Sequence, residues 1–448
     1  MKQAKWIVIP VEVQVRDLFS RQLVGLEAAL RGFDVLVGQD RVVRRLARHL
    51  PKGVLYDKSI GMHGDKKVSR YHRLGYKITA LDEESPGIYG SPKHFFAARM
   101  APQTLDMAHR WFCISNSVQS RAIAEFPDYQ DRFVVTGMTR TDVWRPELRS
   151  LFAQEVNKIS GKFGRFVLFN SNFGTIIHAR GAEFARKQYE AIMQKSNMPR
   201  SEYTTLIEQS QQNLDAYLEM LPKITDWFPD HKLVIRPHPS ESMEFWQSQF
   251  AGNDRIIVVR EGEATPWILA SDIVVHHGCT TGIEAELMGK AEVMYAPSPD
   301  NHHDTQLMRD CVPIAHDPDT LRDTMRKLVS GENGIRKPRA QLENYFASLD
   351  GRMVSQKIVD EFEKIPVKPA RLPHWLKLLQ WTPRHLVAKA RLGSKSDKAY
   401  SRGKWQGVSL QQFRKNIEIM LEAKGRPGEV EVSEPFPGLF HLSQKSAL

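Results

Sequence analysis

Cysteine is scarce in this chain, which holds only Cys113, Cys279 and Cys311, far apart in the sequence. An odd number of widely spaced cysteines gives neither a disulfide framework nor a Cys-x-x-Cys metal pair. Long apolar runs are missing too, since no stretch approaches the roughly 20 residues that cross a bilayer. The opening residues, MKQAKWIVIPVEV, turn polar too soon for a signal peptide and predict a β-strand instead. We therefore expect a cytoplasmic protein, at most peripheral on the inner face of the plasma membrane.

Acidic residues are nearly absent from one segment of the chain. Residues 368–404 contain ten Lys or Arg and the single acid Asp397, so they carry +9 of the formal +11 charge. A nucleic-acid-binding protein is expected to spread its basic residues over a folded face. The confinement therefore argues against nucleic acid as a partner and predicts a basic amphipathic tail, residues 366–448. Trp375 and Trp381 among these cations favour an anionic membrane surface as the tail's partner. Packing on the body of the protein and binding to another protein are the alternatives.

Short apolar strands alternate with helix-length segments along most of the 448 residues. Such spacing is typical of parallel sheets, because parallel strands need crossover connections. We expect an α/β fold with two Rossmann-like, doubly wound domains facing a cleft, at 1–145 and 146–365. The predicted strands are 6–13, 33–37, 53–56, 76–81, 111–114 and 133–136, then 166–170, 232–236, 255–259, 272–276 and 292–295. The predicted helices are 16–31, 95–108, a long region at 180–228, 321–328 and 339–362.

The first candidate site lies where predicted strand 232–236 ends, in the sequence RPHPS. Each proline fixes its own φ and disfavours helix, so we expect His238 to stand rigidly at the carboxyl end of the strand. There its ring could donate a hydrogen bond to a phosphate oxygen, and Arg236 could add charge. A loop histidine bonded to a neighbouring carbonyl is the alternative.

The second candidate site follows strand 272–276, in the sequence HHGCTTG that leads into a helical pattern. Thr280 and Thr281 stand where N-cap residues belong, and the glycines relax the turn. Free N–H groups and the helix dipole would make this turn an anion cradle. Glu284, early in the helix, could accept hydrogen bonds from a ribose or base. Plain capping by the threonines and a solvated helix face at Glu284 are the alternatives.

Together, RPHP and HHGCTTGIEAELMGK resemble the C-terminal half of GT-B glycosyltransferases that use cytidine-nucleotide donors. These include bacterial sialyltransferases, Kdo transferases of capsule synthesis and CDP-glycerol transferases of teichoic acid synthesis. In those families a His-Pro histidine and a Ser/Thr pair hold the donor phosphate. The resemblance implies a GT-B fold, with His238, Thr280 and Thr281 on the donor phosphate. The families usually have Ser-Ser or Ser-Thr where this chain has Cys279-Thr280-Thr281.

The N-terminal half resembles the surface carbohydrate biosynthesis protein family, and with the later motifs the resemblance covers roughly residues 6–350. It rests on an early Pro-x-Glu ending at Glu12, the following Arg16-Asp17, a Gly-flanked strand at 32–38 and Asp-Glu-Glu at 82–84. We interpret Glu12 and Arg16 as acceptor-binding residues. A structural role is the alternative for Arg16.

The carboxylates Asp82, Glu83 and Glu84 follow a predicted strand and so lie at the sheet edge where ligands bind. Clustered carboxylates repel one another, which raises one pKa and yields a candidate general base for an acceptor hydroxyl. Glu12 and Asp17 are alternative bases. An acidic turn that caps the next helix is the structural alternative.

Small polar residues close strand 166–170, and we assign Asn170 and Asn172 to donor binding, with a capped turn as the alternative. We expect no metal, since His302, His303 and Asp304 lack partner ligands at a recognisable spacing. We expect no cofactor beyond the nucleotide-sugar substrate, which the resemblance makes CMP-linked.

The sequence thus predicts an enzyme of bacterial surface polysaccharide synthesis, in capsule or lipopolysaccharide. It would transfer a Kdo-like sugar from a cytidine nucleotide to a glycan or lipid-linked glycan. The alternatives are a polyol-phosphate or UDP-sugar transferase, a UDP-sugar 2-epimerase and a non-catalytic glycan-binding protein.

Overall fold

The computed structural model describes residues 3–61, 66–83, 95–96, 99–196, 200–298, 305–332, 334–337, 339–381 and 405–445. Two compact units make up the chain. The first unit combines 1–151 with 343–448, and the second spans 152–342.

The strands are, in chain order, β1 (Trp6–Val11), β2 (Asp34–Gln39), β3 (Val54–Asp57), β4 (Lys77–Leu81), β5 (Ala108–Cys113), β6 (Phe133–Val135), β7 (Phe166–Asn170), β8 (Lys232–Arg236), β9 (Ile256–Val258), β10 (Ile273–His276), β11 (Glu292–Tyr295), β12 (Ile314–Ala315), β13 (Val430–Phe436) and β14 (Leu439–Gln444). The helices are Gln14–Leu30, Asp40–Leu46, Lys66–Arg73, Pro102–Met107, Asn116–Glu125, Thr139–Val143, Ala153–Phe163, Ala182–Ser196, Arg200–Trp227, Met243–Gln249, Ala264–Ala270, Thr280–Leu287, Gln306–Cys311, Pro318–Ser330, Ala340–Glu343, Val354–Lys364 and Leu410–Ala423. Short 3-10 helices cover Pro127–Arg132, Pro146–Phe152 and His374–Trp381.

In the first unit the sheet order is β13-β14-β2-β1-β3-β4-β5-β6. Strands β1 to β6 are parallel, and the order changes direction between β1 and β3. Every residue of β1 is buried, as expected for a central parallel strand covered on both faces. The carboxyl ends of β1 and β3 therefore flank a topological switch point, where open α/β sheets bind ligands.

The second unit has the sheet order β12-β11-β10-β7-β8-β9, and its strand pairs are parallel. Numbered from β7, this is the 3-2-1-4-5-6 order of the Rossmann fold, with its switch point between β7 and β10. Aromatic side chains fill one face, where Phe169 stacks on Tyr217 with ring centroids 5.0 Å apart. The predicted fold class, two doubly wound α/β domains, is confirmed.

The tail predicted at 366–448 is wrong for residues 410–444. The helix Leu410–Ala423 and the β13–β14 hairpin belong to the first unit, and β14 pairs antiparallel with β2. Phe413 stacks on Phe440 at 4.2 Å between centroids. Alternating Val430 and Val432, followed by Pro-Gly before Leu439, was the sequence signal for this hairpin. Of the basic segment 368–404, residues 382–404 lie outside the described residues.

The predicted domain limit at 365 also needs correction, because the helix Val354–Lys364 belongs to the first unit. Buried Asp142 links this helix to the rest of the first unit, because its two carboxylate oxygens accept hydrogen bonds from the N–H groups of Val354 (2.9 Å) and Ser355 (2.8 Å). Such a cap between distant segments leaves no periodic signal in the sequence.

Two predicted helices differ in extent. Within the described part of the segment predicted at 95–108, Phe95, Phe96 and Pro102–Met107 are helical, and β5 already starts at Ala108. The segment predicted at 339–362 is split into Ala340–Glu343 and Val354–Lys364. In the described part of the chain, no helix combines the length and the apolar character that a membrane span requires.

Candidate functional site

Three loops of the second unit start at the carboxyl ends of neighbouring strands. They follow β7 (170–173), β8 (236–241) and β10 (276–282), and the β7 and β10 loops flank the switch point. The structure thus brings both sequence-predicted loops to one edge of one sheet. What each side chain does there depends on its contacts.

The helix Thr280–Leu287 begins directly above the switch point. Its N-cap residue, Cys279, makes no side-chain capping hydrogen bond. Thr280 and Thr281 are half-buried, and the Thr281 hydroxyl lies 2.9 Å from the Cys279 sulfur. The first-turn N–H groups and the positive end of the helix dipole therefore face the sheet edge, which suits an anion.

His276 fixes the base of this turn and was not among the predicted site residues. Its ring is fully buried, the Gly278 N–H donates to Nδ1 (3.1 Å), and Nε2 lies 2.8 Å from a Glu292 carboxylate oxygen. Because Nδ1 accepts, Nε2 carries the proton and donates to Glu292. Burial lowers the pKa of His276 to about 3, so the ring is neutral at physiological pH. Burial also raises the pKa of Glu292, against the effect of Arg336.

The loop after β7 touches the loop after β10. The Cys279 thiol lies 3.8 Å from the Asn170 carbonyl oxygen, and His277 Nε2 lies 3.3 Å from the Asn172 carbonyl oxygen. The Asn170 side chain is only 6% exposed, and its amide nitrogen has no hydrogen-bond partner within the described residues. A buried amide without a partner costs free energy, so it points to a missing polar ligand beside the helix start.

The His-Pro loop presents an exposed imidazole. Ser240 supplies both contacts to Nδ1 of His238: the hydroxyl at 2.7 Å and the N–H at 3.3 Å. With Nδ1 accepting, Nε2 carries the proton and can donate to a ligand. Partial loss of hydration lowers the pKa of His238, and the charge of Arg260 lowers it further. The ring is therefore a neutral donor at pH 7.

Glu241 is the residue that sequence reasoning missed in this loop. Its carboxylate is fully buried and accepts hydrogen bonds from the Ser171 hydroxyl, the Phe173 N–H and the Trp246 indole (2.7 Å). Burial raises its pKa, although these donors oppose the shift. One carboxylate thus ties the loop after β7 to the His-Pro loop. Its position right after PHPS was the only sequence signal.

Arg236 has a structural contact that the sequence did not reveal. Its buried guanidinium donates to the carbonyls of Glu261 (2.8 Å) and Gly262 (3.1 Å) and lies over the Trp267 ring. Burial lowers its pKa to about 10. These contacts hold the loop after β9, and the assignment of Arg236 to the donor phosphate stays a prediction.

The structure also shows where Glu284 lies and how the His-Pro loop relates to the threonine turn. Glu284 is buried on the helix rather than solvated. Its contact with a ribose or base stays a prediction. Within the described chain, no hydrogen bond joins His238 to Thr280 or Thr281. The loop after β7 contacts both motifs, through Glu241 on one side and through His277 and Cys279 on the other.

In the first unit, other residues hold two of the three predicted catalytic carboxylates. Asp82 pairs with Arg99 at 3.0 Å. Buried Glu83 accepts from the Thr139 hydroxyl at 2.9 Å and from the Arg140 N–H at 3.2 Å. Glu84 lies outside the described residues. The roles of all three as bases stay predictions.

The first unit's switch point carries the predicted acceptor residues. Glu12 pairs with Lys58 at 2.8 Å, joining the ends of β1 and β3. Arg16 binds the Asp17 carboxylate through Nε (2.6 Å) and a terminal nitrogen (3.2 Å). Burial raises the pKa of Asp17, but the hydrogen bond and charge of Arg16 outweigh it, so the pKa lies below its ordinary value.

Arg21 was also missed. It is 2% exposed, its guanidinium lies 4.1 Å from the centroid of the Tyr56 ring, and one terminal nitrogen has no partner within the described chain. Burial acts to lower the pKa of Arg21, but the nearby Tyr56 hydroxyl and the Glu83 carboxylate raise it above its ordinary value, so the group stays a cation. It supplies fixed positive charge beneath the switch point.

Among the described residues, no group of three or more His, Cys, Asp or Glu side chains is placed to hold a metal ion. His302, His303 and Asp304 lie outside them. The absence of a metal therefore stays a prediction.

Neither a protein-family model nor a curated protein sequence matches the chain. Solved structures do match. They include UDP-N-acetylglucosamine 2-epimerase from Rickettsia bellii, at 11% identity over 81% of this chain and 97% of that one, with a TM-score of 0.47. The Methanocaldococcus jannaschii UDP-GlcNAc 2-epimerase, solved with UDP-GlcNAc and UDP, is 9% identical over 80% and 99%, with a TM-score of 0.49. The wall teichoic acid polymerase TagF, solved with CDPG, is 11% identical over 80% and 87%, with a TM-score of 0.43.

Identities this low, with TM-scores below 0.5, carry no functional argument. The resemblance to the surface carbohydrate biosynthesis family and to Kdo transferases and sialyltransferases therefore stays a prediction.

Proposed function

We propose that this chain is a nucleotide-sugar glycosyltransferase of the GT-B type that acts in bacterial surface polysaccharide synthesis. The observation that carries the proposal is the edge of the second sheet. There the start of the helix Thr280–Leu287 and the Asn170 amide flank one switch point, beside the His-Pro loop. That amide nitrogen has no hydrogen-bond partner among the residues that the structure describes. These groups are hydrogen-bond donors, and a nucleotide phosphate is the ligand that donors at a helix start favour.

The donors would act on the leaving group. As the bond between the anomeric carbon and the phosphate oxygen breaks, its electron pair goes to the phosphate. The helix start, the Asn170 amide and the neutral Nε2–H of His238 would stabilise that charge, because they are oriented before it develops. The Ser240 contact holds the His238 ring in the donating tautomer.

The attack requires a base that takes the proton of the acceptor hydroxyl as its oxygen bonds to the anomeric carbon. Asp82, Glu83 and Glu84 are the proposed candidates, and Glu12 and Asp17 are the alternatives. Glu12 has the more accessible carboxylate of the described candidates, with 35% of its side chain exposed against 10% for Asp82. An acceptor hydroxyl could approach it at the switch point of the first unit.

The donor is proposed to be cytidine-linked, by the sequence resemblance alone. Calorimetric titration of the purified chain with CMP, CDP, UMP and UDP tests this. We expect a cytidine nucleotide to bind more tightly than the matching uridine nucleotide. Tighter uridine binding would favour a UDP-sugar transferase or epimerase, and turnover of a UDP-sugar without any acceptor would identify the epimerase.

The site itself is tested with His238→Ala. Loss of one hydrogen bond to a charged phosphate is expected to weaken nucleotide binding by roughly 10- to 100-fold. His441→Ala is the control, because that half-buried histidine pairs with Asp34 in the first unit. Absence of any nucleotide binding by the unaltered chain would contradict the proposal. Nucleotide binding that resists His238→Ala, with an unchanged polysaccharide in cells, would favour a glycan-binding role.

Glu241→Gln separates loop positioning from direct binding. All three partners of the Glu241 carboxylate are hydrogen-bond donors. The side-chain amide of this variant would therefore have to point one of its own N–H groups at one of these donors. The loop after β7 should lose its fixed position and nucleotide affinity should fall. Glu244→Gln, at the exposed start of the next helix, should leave binding unchanged. Equal nucleotide binding by the two variants would remove Glu241 from the site.

A further inference from the structure

One surface of the first unit exposes apolar side chains beside arginines. Among the described residues, the exposed large hydrophobic side chains are Trp375 (37% exposed) and Leu378 (67% exposed). Both lie in the 3-10 helix His374–Trp381, three residues apart. Exposed apolar residues that cluster mark a contact with something outside the chain.

The fold holds this short helix in place. Leu372 is 8% exposed and Leu376 only 1%, so both leucines pack into the first unit. The indole N–H of Trp6 donates to the Ala370 carbonyl at 3.0 Å, and Ala370 also bridges to Ala4. Trp375 and Leu378 are therefore presented outward by an anchored segment.

The histidine that contacts Trp375 follows a helix that carries arginines. The His49 ring packs edge-on against the Trp375 ring, with centroids 5.5 Å apart. His49 follows the helix Asp40–Leu46, on which Arg41 and Arg45 are one turn apart, and Arg48 continues their row. Arg41 and Arg48 are exposed. The pKa of Arg45 is lowered by partial burial and then by the charge of Arg41, as expected for neighbouring cations.

We propose that Trp375, Leu378, Arg41, Arg45 and Arg48, here called the Trp375 surface, dock the protein on an anionic lipid surface. Tryptophan and leucine would enter the headgroup region while the arginines meet lipid phosphates. The charge continues along the chain, since residues 368–404 carry a net +9. A stable protein interface needs roughly 800 Å² on each partner, with an apolar centre that two side chains do not supply. The positive charge together with the small apolar area therefore favours an anionic lipid surface over a protein partner.

Vesicle co-sedimentation of the full chain tests the proposal. Vesicles of phosphatidylcholine alone are compared with vesicles that contain about 30% phosphatidylglycerol, at about 0.1 M salt. We expect at least about tenfold tighter binding to the anionic vesicles. Trp375→Ser with Leu378→Ser should weaken that binding by about tenfold. Arg41→Gln with Arg45→Gln and Arg48→Gln should weaken it by about 100-fold, at roughly fivefold per cation.

The matched control removes three cations from the second unit. Lys158, Lys187 and Lys223 have side chains 68%, 65% and 42% exposed, and their replacement by Gln changes the net charge equally. We expect this control to bind anionic vesicles like the unaltered chain. Equal binding to both vesicle types would overturn the proposal and leave a protein as the partner. An equal loss in the lysine control, or no loss in the Trp375 and Leu378 variant, would overturn it as well.

Discussion

Gly282→Ala tests the packing beneath the proposed phosphate site. A Cβ atom at Gly282 would lie 2.2 Å from Cε1, 2.3 Å from Nε2 and 2.5 Å from Nδ1 of His276. Carbon atoms in contact are about 3.5–4.0 Å apart, so the ring or the helix start must move by more than about 1 Å. The ring is fully buried and bonded to Glu292 and Gly278, so its movement breaks both hydrogen bonds.

The expected cost combines two terms. Overpacking of a core costs about 1–3 kcal/mol, and each lost hydrogen bond costs about 1 kcal/mol. We therefore expect Gly282→Ala to lower the free energy of unfolding of the second unit by about 3–5 kcal/mol. For a unit of this size that lowers Tm by about 6–20 °C. Nucleotide affinity should fall as well, because the helix start moves.

Circular dichroism melts of the full chain measure the effect, and Gly161→Ala is the matched control. Gly161 also lies in a helix, Ala153–Phe163, but a Cβ atom there meets nothing within 4 Å. Alanine favours helix over glycine by up to about 1 kcal/mol, so this variant should be unchanged or slightly stabilised. In a double-mutant cycle, His276→Ala should relieve most of the Gly282→Ala cost. A Gly282→Ala protein that melts like the unaltered chain would refute the reasoning.

Three further predictions concern the first unit. Asp142→Ala should lower the free energy of unfolding of this unit by about 2–4 kcal/mol in urea unfolding, because two backbone donors lose a charged acceptor. Ser409→Ala is the control: it removes an exposed helix cap with one hydrogen bond and should lower that free energy by only about 1 kcal/mol. Asp17 has a lowered pKa in the folded state, so its carboxylate stabilises the fold above the unfolded-state pKa of about 4, and this stabilisation is lost as the pH falls through the folded-state pKa. Asp17→Asn should remove this acid-dependent part of the Tm profile, and an unchanged profile would contradict the lowered pKa. Gly137→Ala and Gly75→Ala both strain a positive φ, but only the new Cβ atom at position 137 lies 2.3 Å from a carbonyl oxygen, that of Ala347. Gly137→Ala should therefore lower Tm more than Gly75→Ala, and equal Tm losses would show that this close contact is absent.

The sequence determined the parallel strands and the loops that follow them. Buried runs such as 166–170 and 232–236 are local patterns, and each ends in a loop whose residues can be read directly. Because carboxyl ends of parallel strands meet at one edge, the sequence alone could place His238 and Thr280 on the same side of one sheet. It could not tell that the β7 loop separates them.

Tertiary structure decided which polar groups hold the loops and which remain available. Glu241, His276 and Asp142 bond to backbone or side chains outside any local pattern, so neither periodicity nor spacing reveals them. Arg236 shows the same limit in reverse, since a motif residue that suits a phosphate is used to hold the loop after β9. A buried polar group must be satisfied by whatever the fold brings near it, and that partner is fixed only when distant segments meet.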